Sequence, residues 1–305
     1  MSAFLIRRLV RLAVVMTGVS LVTFAILHAS GDPVSLIMPE APEADRAVLR
    51  LTLGLNDPLP VQFARFAGNA AVGNFGKSFF HRGESASALV LQRMPTTLLL
   101  TACSMALAMI IALPVGIYSA VRRGRAVDQV ATGAVFLGQS MPVFWTGIML
   151  ILLFSVQWRL LTVSGWDSRT SVVLPTLTLG AFTAPLLLRI VRSSMLEVIG
   201  LDYVRTARAK GVAEWLVIGR HALKNAALPL VTVTGLQFGL LLGGAVITET
   251  VFAIPGVGRL IVGAIRQLDF PVVQAGVFML AMIVVSVNFT VDVLYVYLNP
   301  RIRLR

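Results

Sequence analysis

The residue types that most often perform chemistry in proteins are few in this sequence, and they are scattered. The 305 residues contain one cysteine, Cys103, and three histidines, His28, His81 and His221, which lie far apart along the chain. One cysteine allows no disulfide within the chain, and these residues do not have the spacing of a metal site. Neither the His-Glu-x-x-His nor the Gly-x-Ser-x-Gly pattern of hydrolases occurs. The sequence therefore predicts no catalytic residue and no metal ligand, which disfavours a membrane protease or hydrolase.

Residues 71–78 read Ala-Val-Gly-Asn-Phe-Gly-Lys-Ser and fit a relaxed P-loop pattern in which alanine replaces the first glycine. A P-loop binds phosphate because a β-strand delivers a glycine-rich turn to a helix N-terminus. No apolar β-run precedes this segment, and the distribution of charge along the chain places it on the outer side of the membrane, where ATP is not supplied. We interpret the match as chance and predict no nucleotide site in this chain.

The composition indicates that most of the chain is embedded in lipid. Hydrophobic residues make up 57% of the sequence and charged residues 13%, whereas a soluble domain has about 25% charged residues. Six segments have the roughly 20 apolar residues that are needed to cross a bilayer. The sequence predicts an all-α membrane protein with six transmembrane helices, some of them kinked at prolines. The predicted spans are residues 9–29, 97–118, 130–156, 172–192, 230–252 and 274–297.

The distribution of charge predicts the orientation of the spans. With the N-terminus in the cytoplasm, the inner segments counted together with the adjoining span ends (1–11, 119–129, 189–229 and 298–305) hold 16 of the 26 basic residues and four of the 14 acidic ones, as the positive-inside rule requires. The net charge of +12 then needs no nucleic acid to explain it. We expect a multi-pass protein of a bacterial inner membrane with cytoplasmic ends at 1–8 and 298–305, outer segments at 30–96 and 253–273, and an inner loop at 193–229.

Two further expectations concern the first span and the long outer segment that follows it. The first span resembles a signal peptide, but its apolar run is long and Ala29-Ser30-Gly31 is a poor cleavage site, so we expect it to be retained. The segment 30–96 is turn-rich and too short to bury a sizeable core alone. We therefore expect it to pack as a cap on the outer ends of the helices.

A strip of glycines, a Ser-x-Pro segment and the acid Asp292 lie inside the predicted spans and are candidates for a pathway or for helix packing. Gly235, Gly239 and Gly243 recur at four-residue spacing and form a smooth strip, which suits close packing either within the chain or against a second subunit. Ser140 and Pro142 lie in the third span, where a proline fits a kinked helix beside a pathway or ordinary packing.

Asp292 is an acid within the sixth predicted span. Acids at such depth are costly and are often functional. Asn288 lies one helical turn away and could hydrogen-bond to it, which favours a structural carboxylate. A proton relay is the alternative, and an ion-coupled secondary transporter would use Asp292 in this way.

The inner loop carries the most specific pattern. Attraction to anionic lipid headgroups would explain its basic residues, but not the small residues Thr206, Ala207 and Ala209 ahead of Gly211. A short helix with a small face can fit into a groove of another protein, and Gly211 permits the positive φ that ends such a helix. We expect two short helices in this loop. The residues predicted to couple to a partner are Asp202, Tyr203, Arg205, Thr206, Ala207, Ala209, Lys210 and Gly211.

At these residues the chain resembles the permease subunits of ABC importers. Those subunits carry an inner-loop motif of Glu-Ala-Ala, three residues, Gly and a distal Leu-Pro, which corresponds here to Arg205-Thr206-Ala207, Gly211 and Leu228-Pro229. Arginine in place of glutamate and the longer distance to Leu-Pro are both similar to the dipeptide, oligopeptide and nickel branch. Further blocks resemble that branch at residues 31–33, 53–58, 73–78, 140–145, 249–252, 255–258, 291–295 and 299–303.

The resemblance implies a type I ABC importer permease fold, with a core permease domain at about 94–305 and no catalytic activity or cofactor of its own. It implies a second homologous permease subunit, one or two ABC ATPase subunits that use ATP and Mg²⁺, an extracytoplasmic binding protein and surrounding membrane lipid. The short helix around residues 202–211 would transmit the movement of the ATPases. The resemblance leaves the solute open among peptides, glutathione, nickel chelates and other small solutes.

Overall fold

The structure is a computed structural model that describes residues 2–29, 31–32, 34–35, 38–81, 83–166, 168 and 170–298. The predicted terminal block 299–303, and with it most of the predicted C-terminal segment 298–305, lies outside the described residues. The described part is helical, with one isolated bridge between Lys77 and Ser85. The helices are α1 (Ser2–Ala29), α2 (Glu43–Leu53), α3 (Leu59–Ala71), α4 (Ala86–Val121), α5 (Ala126–Ser140), α6 (Val143–Leu150), α7 (Val173–Ile199), α8 (Asp202–Ala209), α9 (Leu223–Val251), α10 (Val257–Gln267) and α11 (Phe270–Leu298).

The helices bear out the all-α membrane fold, while the number of spans stays a prediction. Among the described residues, four helical stretches are long and apolar enough to cross a membrane: Ala86–Val121, Val173–Ile199, Glu214–Val251 and Phe270–Val293. Of two shorter apolar helical stretches, Val10–Ile26 lies within the first predicted span and Val143–Gln157 covers the second half of the third.

The third predicted span is not one continuous helix. α5 ends at Ser140, Met141 and Pro142 have extended backbones, and α6 begins at Val143. Pro142 stands at the N-cap of α6, where its missing N–H costs no helical hydrogen bond. From Ile151 to Gln157 the chain continues α6 as a π-helix.

The helix that contains the fifth predicted span begins well before that span. A helical stretch runs without interruption from Glu214 through a π-helical segment, Val217–Ala222, into α9. Pro229 lies inside α9 rather than at its start. The second of the two short inner helices expected from the sequence is therefore the first part of this long helix, because most residues from 214 to 228 are good helix formers.

Two compact units make up the chain. The first consists of Met1–Thr97 and Pro255–Val285. Here the predicted outer cap packs through aromatic rings: Phe75 lies 5.2 Å from Phe278 of α11 between ring centroids, and Phe63 lies 5.5 Å from Phe24 of α1. The cap thus buries apolar surface against spans rather than in a core of its own.

The second unit consists of Leu98–Ile254 and Ser286–Arg305. Its core surrounds α7, whose side chains are buried along most of the helix. Glycines allow neighbouring helices to approach α7: a Cβ at Gly116 of α4 would come within 2.8 Å of the Val191 side chain, and one at Gly138 of α5 within 2.7 Å of Pro185. α7 then leads through Gly200 and Leu201 directly into α8.

Candidate functional site

The inner loop contains one separate short helix, α8, and its ends follow from its sequence. Asp202 lies in the first turn, where a carboxylate interacts favourably with the helix dipole. At the other end Gly211 has φ +76°. The N–H of Val212 donates to the carbonyl of Ala207 at 3.2 Å and that of Gly211 to Arg208 at 2.9 Å, which is a Schellman ending. The positive φ predicted for Gly211 is confirmed.

Two side chains anchor α8 to the second unit. Val204 is 0% exposed and Ala207 is 8% exposed. Both belong to the buried cluster that contains Val198 at the end of α7 and Val217 before α9. Because interior packing is close and resists compression, a displacement of α8 must be shared by these neighbours.

Most of the residues predicted to couple to a partner lie on the free side of α8. The expectation of one small-residue face is wrong in one respect: Ala207 points into the core of its own chain, whereas Thr206 and Ala209 are exposed. The helical period of 3.6 residues separates Ala207 from its neighbours in this way. The exposed members of the predicted set are Asp202, Tyr203, Arg205, Thr206, Ala209, Lys210 and Gly211.

Polar contacts join α8 to the helical stretch that follows it. The Tyr203 hydroxyl accepts a hydrogen bond from Nδ2 of Asn225 at 2.7 Å and donates to the carbonyl of His221 at 3.3 Å. Across the Gly211 turn, Nη2 of Arg208 donates to the Glu214 carboxylate at 2.7 Å. That hydrogen bond holds the pKa of Glu214 below its ordinary value.

The predicted glycine strip is divided between two environments. Gly235 is buried, and a Cβ there would come within 2.6 Å of Val291, the residue before Asp292 in α11. Gly243 is exposed, and a Cβ there would meet nothing within 4 Å. Gly235 thus serves packing within the chain, while Gly243 leaves a gap on the surface of the isolated subunit. Gly239 is partly buried.

The remaining candidates lie in the same unit. Ser140 ends α5, is exposed, and has an interaction partner, as does the partly buried Asp292 in α11. Pro142 begins α6. A pathway role for these three residues stays a prediction, and so does the choice between a structural Asp292 and a proton relay.

One group of residues was missed at the sequence level. Asp128, in the first turn of α5, is buried and accepts hydrogen bonds from Arg192 of α7, through Nε at 2.6 Å and Nη2 at 2.9 Å. The N–H of Gly124 donates to it at 2.9 Å, and so does the Ser119 hydroxyl. These donors, Arg192 foremost, hold the pKa of Asp128 well below its usual range. The signal in the sequence was a single acid, Asp128, shortly after three arginines, Arg122, Arg123 and Arg125.

Comparison with known proteins shows what kind of chain carries this loop. The family model for the binding-protein-dependent transport system inner membrane component matches residues 112–304, and the model for the N-terminal part of such components matches residues 1–101. The dipeptide transport system permease protein DppB of Escherichia coli is 40% identical over 99% of both chains. The glutathione transport system permease protein GsiC of Escherichia coli is 42% identical, again over 99% of both chains.

Solved structures show the same fold at lower identity. A chain of the MetNI methionine ABC transporter in an inward-facing conformation gives a TM-score of 0.56 at 22% identity, with 69% of this chain and 96% of that chain covered. An amino acid ABC transporter gives a TM-score of 0.51 at 14% identity, with 70% and 94% covered. The family matches, the full-length relatives and the shared fold agree. The chain belongs to the family of binding-protein-dependent transport system inner membrane components, the permease subunits of ABC importers.

Proposed function

We propose that this permease subunit forms half of an import pathway for peptides or similar small solutes, and that a separate ATPase drives it through α8. The chain itself is a translocation subunit without catalytic activity, as its family is. The observation that carries the proposal is the form of α8: a short helix, exposed along one side, whose other side is buried in the core of the spans through Val204 and Ala207.

The contacts of α8 explain how it could pass on a movement. Its start follows α7 after two residues, and Val204 packs in one cluster with Val198 of α7 and Val217. Tyr203 hydrogen-bonds to Asn225 in α9. A push on the exposed side of α8 would therefore reach α7 and α9 together, and both are long enough to cross the membrane.

The proposed partners follow from the family. They are a second homologous permease subunit, one or two ABC ATPase subunits, an extracytoplasmic binding protein and membrane lipid. ATP and Mg²⁺ would act at the ATPases and no cofactor at this chain. We place the subunit in the bacterial inner membrane with both termini in the cytoplasm, an orientation supported by the excess of basic residues in the segments 1–11, 119–129, 189–229 and 298–305.

The solute class rests on the relatives. Two of them, at 40% and 42% identity, are named for the transport of dipeptides and of glutathione. We therefore propose a peptide or a similar small solute, with nickel chelates as the alternative within the same branch.

Uptake into proteoliposomes tests this function. The complex would be assembled with its ATPase, its second permease subunit and its binding protein, and labelled dipeptide uptake would be measured with ATP on the side of α8. We expect uptake only with hydrolysable ATP, and we expect Asp292→Asn to leave it ATP-dependent. Uptake driven by an ion gradient without ATP, and abolished by Asp292→Asn, would establish the secondary transporter instead.

A further inference from the structure

Three residues, from α4, α7 and the α4–α5 turn, donate hydrogen bonds to Asp128 of α5. Its carboxylate accepts two hydrogen bonds from Arg192, at 2.6 Å and 2.9 Å, one to each oxygen. The Ser119 hydroxyl and the N–H of Gly124 complete the set. Asp128 is buried and the side chain of Arg192 is 28% exposed. A bidentate contact between a guanidinium and a carboxylate fixes the relative orientation of the two side chains as well as their distance. The position of α7 relative to the α4–α5 turn is therefore closely defined.

The position of this group relates it to the candidate coupling helix. Ser119 lies in the last turn of α4, and Asp128 in the first turn of α5, so the group holds the α4–α5 turn. Arg192 lies two turns before the end of α7, which continues through Leu201 into α8. Thus one end of α7 carries α8, and the adjacent part of α7 is tied to the α4–α5 turn.

We propose that Asp128 and Arg192 are positioning residues for energy coupling, which presupposes the proposed role of α8. The pair holds the inner part of α7 against the α4–α5 turn. A displacement of α8 is then passed to α4, α5 and α7 as one body. Without the pair, apolar packing such as that of Val191 on Gly116 still holds the inner part of α7, but no polar contact fixes its direction, so a smaller part of the displacement reaches α4 and α5. Neither residue contacts solute or nucleotide in this proposal.

A set of variants separates positioning from simple stabilisation. Arg192→Gln removes the cation and leaves the Asp128 charge buried and uncompensated, which lowers stability. The double variant Asp128→Asn/Arg192→Gln removes both charges, and we expect it to regain thermal stability without regaining the ionic bidentate contact. Arg192→Lys keeps the charge but offers no planar fork. Arg123→Gln is the matched control, since Arg123 is exposed in the α4–α5 turn and loses the same charge.

The readout is solute taken up per ATP hydrolysed by the complete purified complex in proteoliposomes, beside its thermal unfolding midpoint. For Arg192→Gln and for the double variant we expect this ratio to fall roughly twofold to thirtyfold, the range over which such networks alter coupling, while Arg123→Gln remains as wild type. The ratio for Arg192→Lys should lie between those of Arg192→Gln and the wild type. This variant tests the proposal if the complex with Arg192→Gln does not assemble.

Two results would overturn the proposal. One is a wild-type ratio in the double variant and in Arg192→Lys, and the other is a ratio that follows the unfolding midpoint through the whole series. Failure of the proposed function is distinguishable, because the wild-type complex itself would then show no ATP-dependent uptake.

Discussion

Substitutions at Gly211 should impair energy coupling more strongly the less well the new residue tolerates the positive φ of this position. Its φ of +76° lies in the left-handed region, and a Cβ there would meet no atom within 4 Å. The cost of a side chain is therefore conformational and not steric. Holding an L-residue in this region costs about 1–2 kcal/mol. The alternative is to unwind the turn and lose the hydrogen bonds of Gly211 and Val212, each with a net value of about 0.5–1.5 kcal/mol.

Both routes give a cost of about 1–3 kcal/mol for Gly211→Val, because a β-branched residue fits the left-handed region worst. The substitution is outside the buried core, so we expect the complex to assemble. The displaced end of α8 should lower uptake per ATP hydrolysed. Asn tolerates the left-handed region better than other residues, so the loss should increase in the order Gly211→Asn, Gly211→Ala, Gly211→Val.

Gly219 provides the matched control for this series. It is exposed in the helical segment Val217–Ala222, a Cβ there meets nothing within 4 Å, and its φ is not positive. Gly219→Ala should keep the wild-type ratio. Equal ratios for Gly211→Asn and Gly211→Val, both at the wild-type level, would refute the importance of the turn.

Three further predictions concern packing, pH and sidedness. Gly235→Ala should overpack its site, which costs about 1–3 kcal/mol of the free energy of unfolding, and should therefore lower the unfolding midpoint of the subunit. Gly243→Ala should leave the midpoint unchanged. Equal midpoints for the two variants would contradict the different environments of the two glycines. The pKa of Asp128 is lowered by folding, so its stabilisation should be complete above the ordinary value of about 3.9. It should be lost as the pH falls further, and a stability gap to Asp128→Asn that stays constant down to pH 2 would contradict this. A cysteine at Ser85 should react with an impermeant thiol reagent in intact spheroplasts, and one at Arg208 only after permeabilisation; the reverse pattern would invert the topology.

The features of the site that could be predicted were those encoded locally. Gly211 follows a short helix-forming segment, so both the helix end and the positive φ were accessible from the sequence. The direction of Ala207 was not, because eight residues give too little periodicity to decide which side of a helix is buried. The contact of Asp128 with Arg192 joins residues 64 positions apart, and no local pattern reports such a contact.

Two prolines show why helix limits were harder to predict than helix existence. Pro142 and Pro229 both follow apolar helical patterns, yet the helix ends before Pro142, whereas α9 continues through Pro229. Local preference disfavours helix before any proline. Tertiary packing decides whether a helix continues in spite of it, and that information is distributed over the neighbouring helices.

The proposed coupling requires that the exposed side of α8 contacts the ATPase. The direct measurement is cross-linking of the assembled complex, with Cys103 replaced by serine, from single cysteines at Thr206, Ala209 and the buried Ala207. We expect cross-linked products with the ATPase from positions 206 and 209, with yields that change when ATP is bound, and none from position 207. No ATPase product from 206 or 209, in a complex that still transports with ATP, would contradict it.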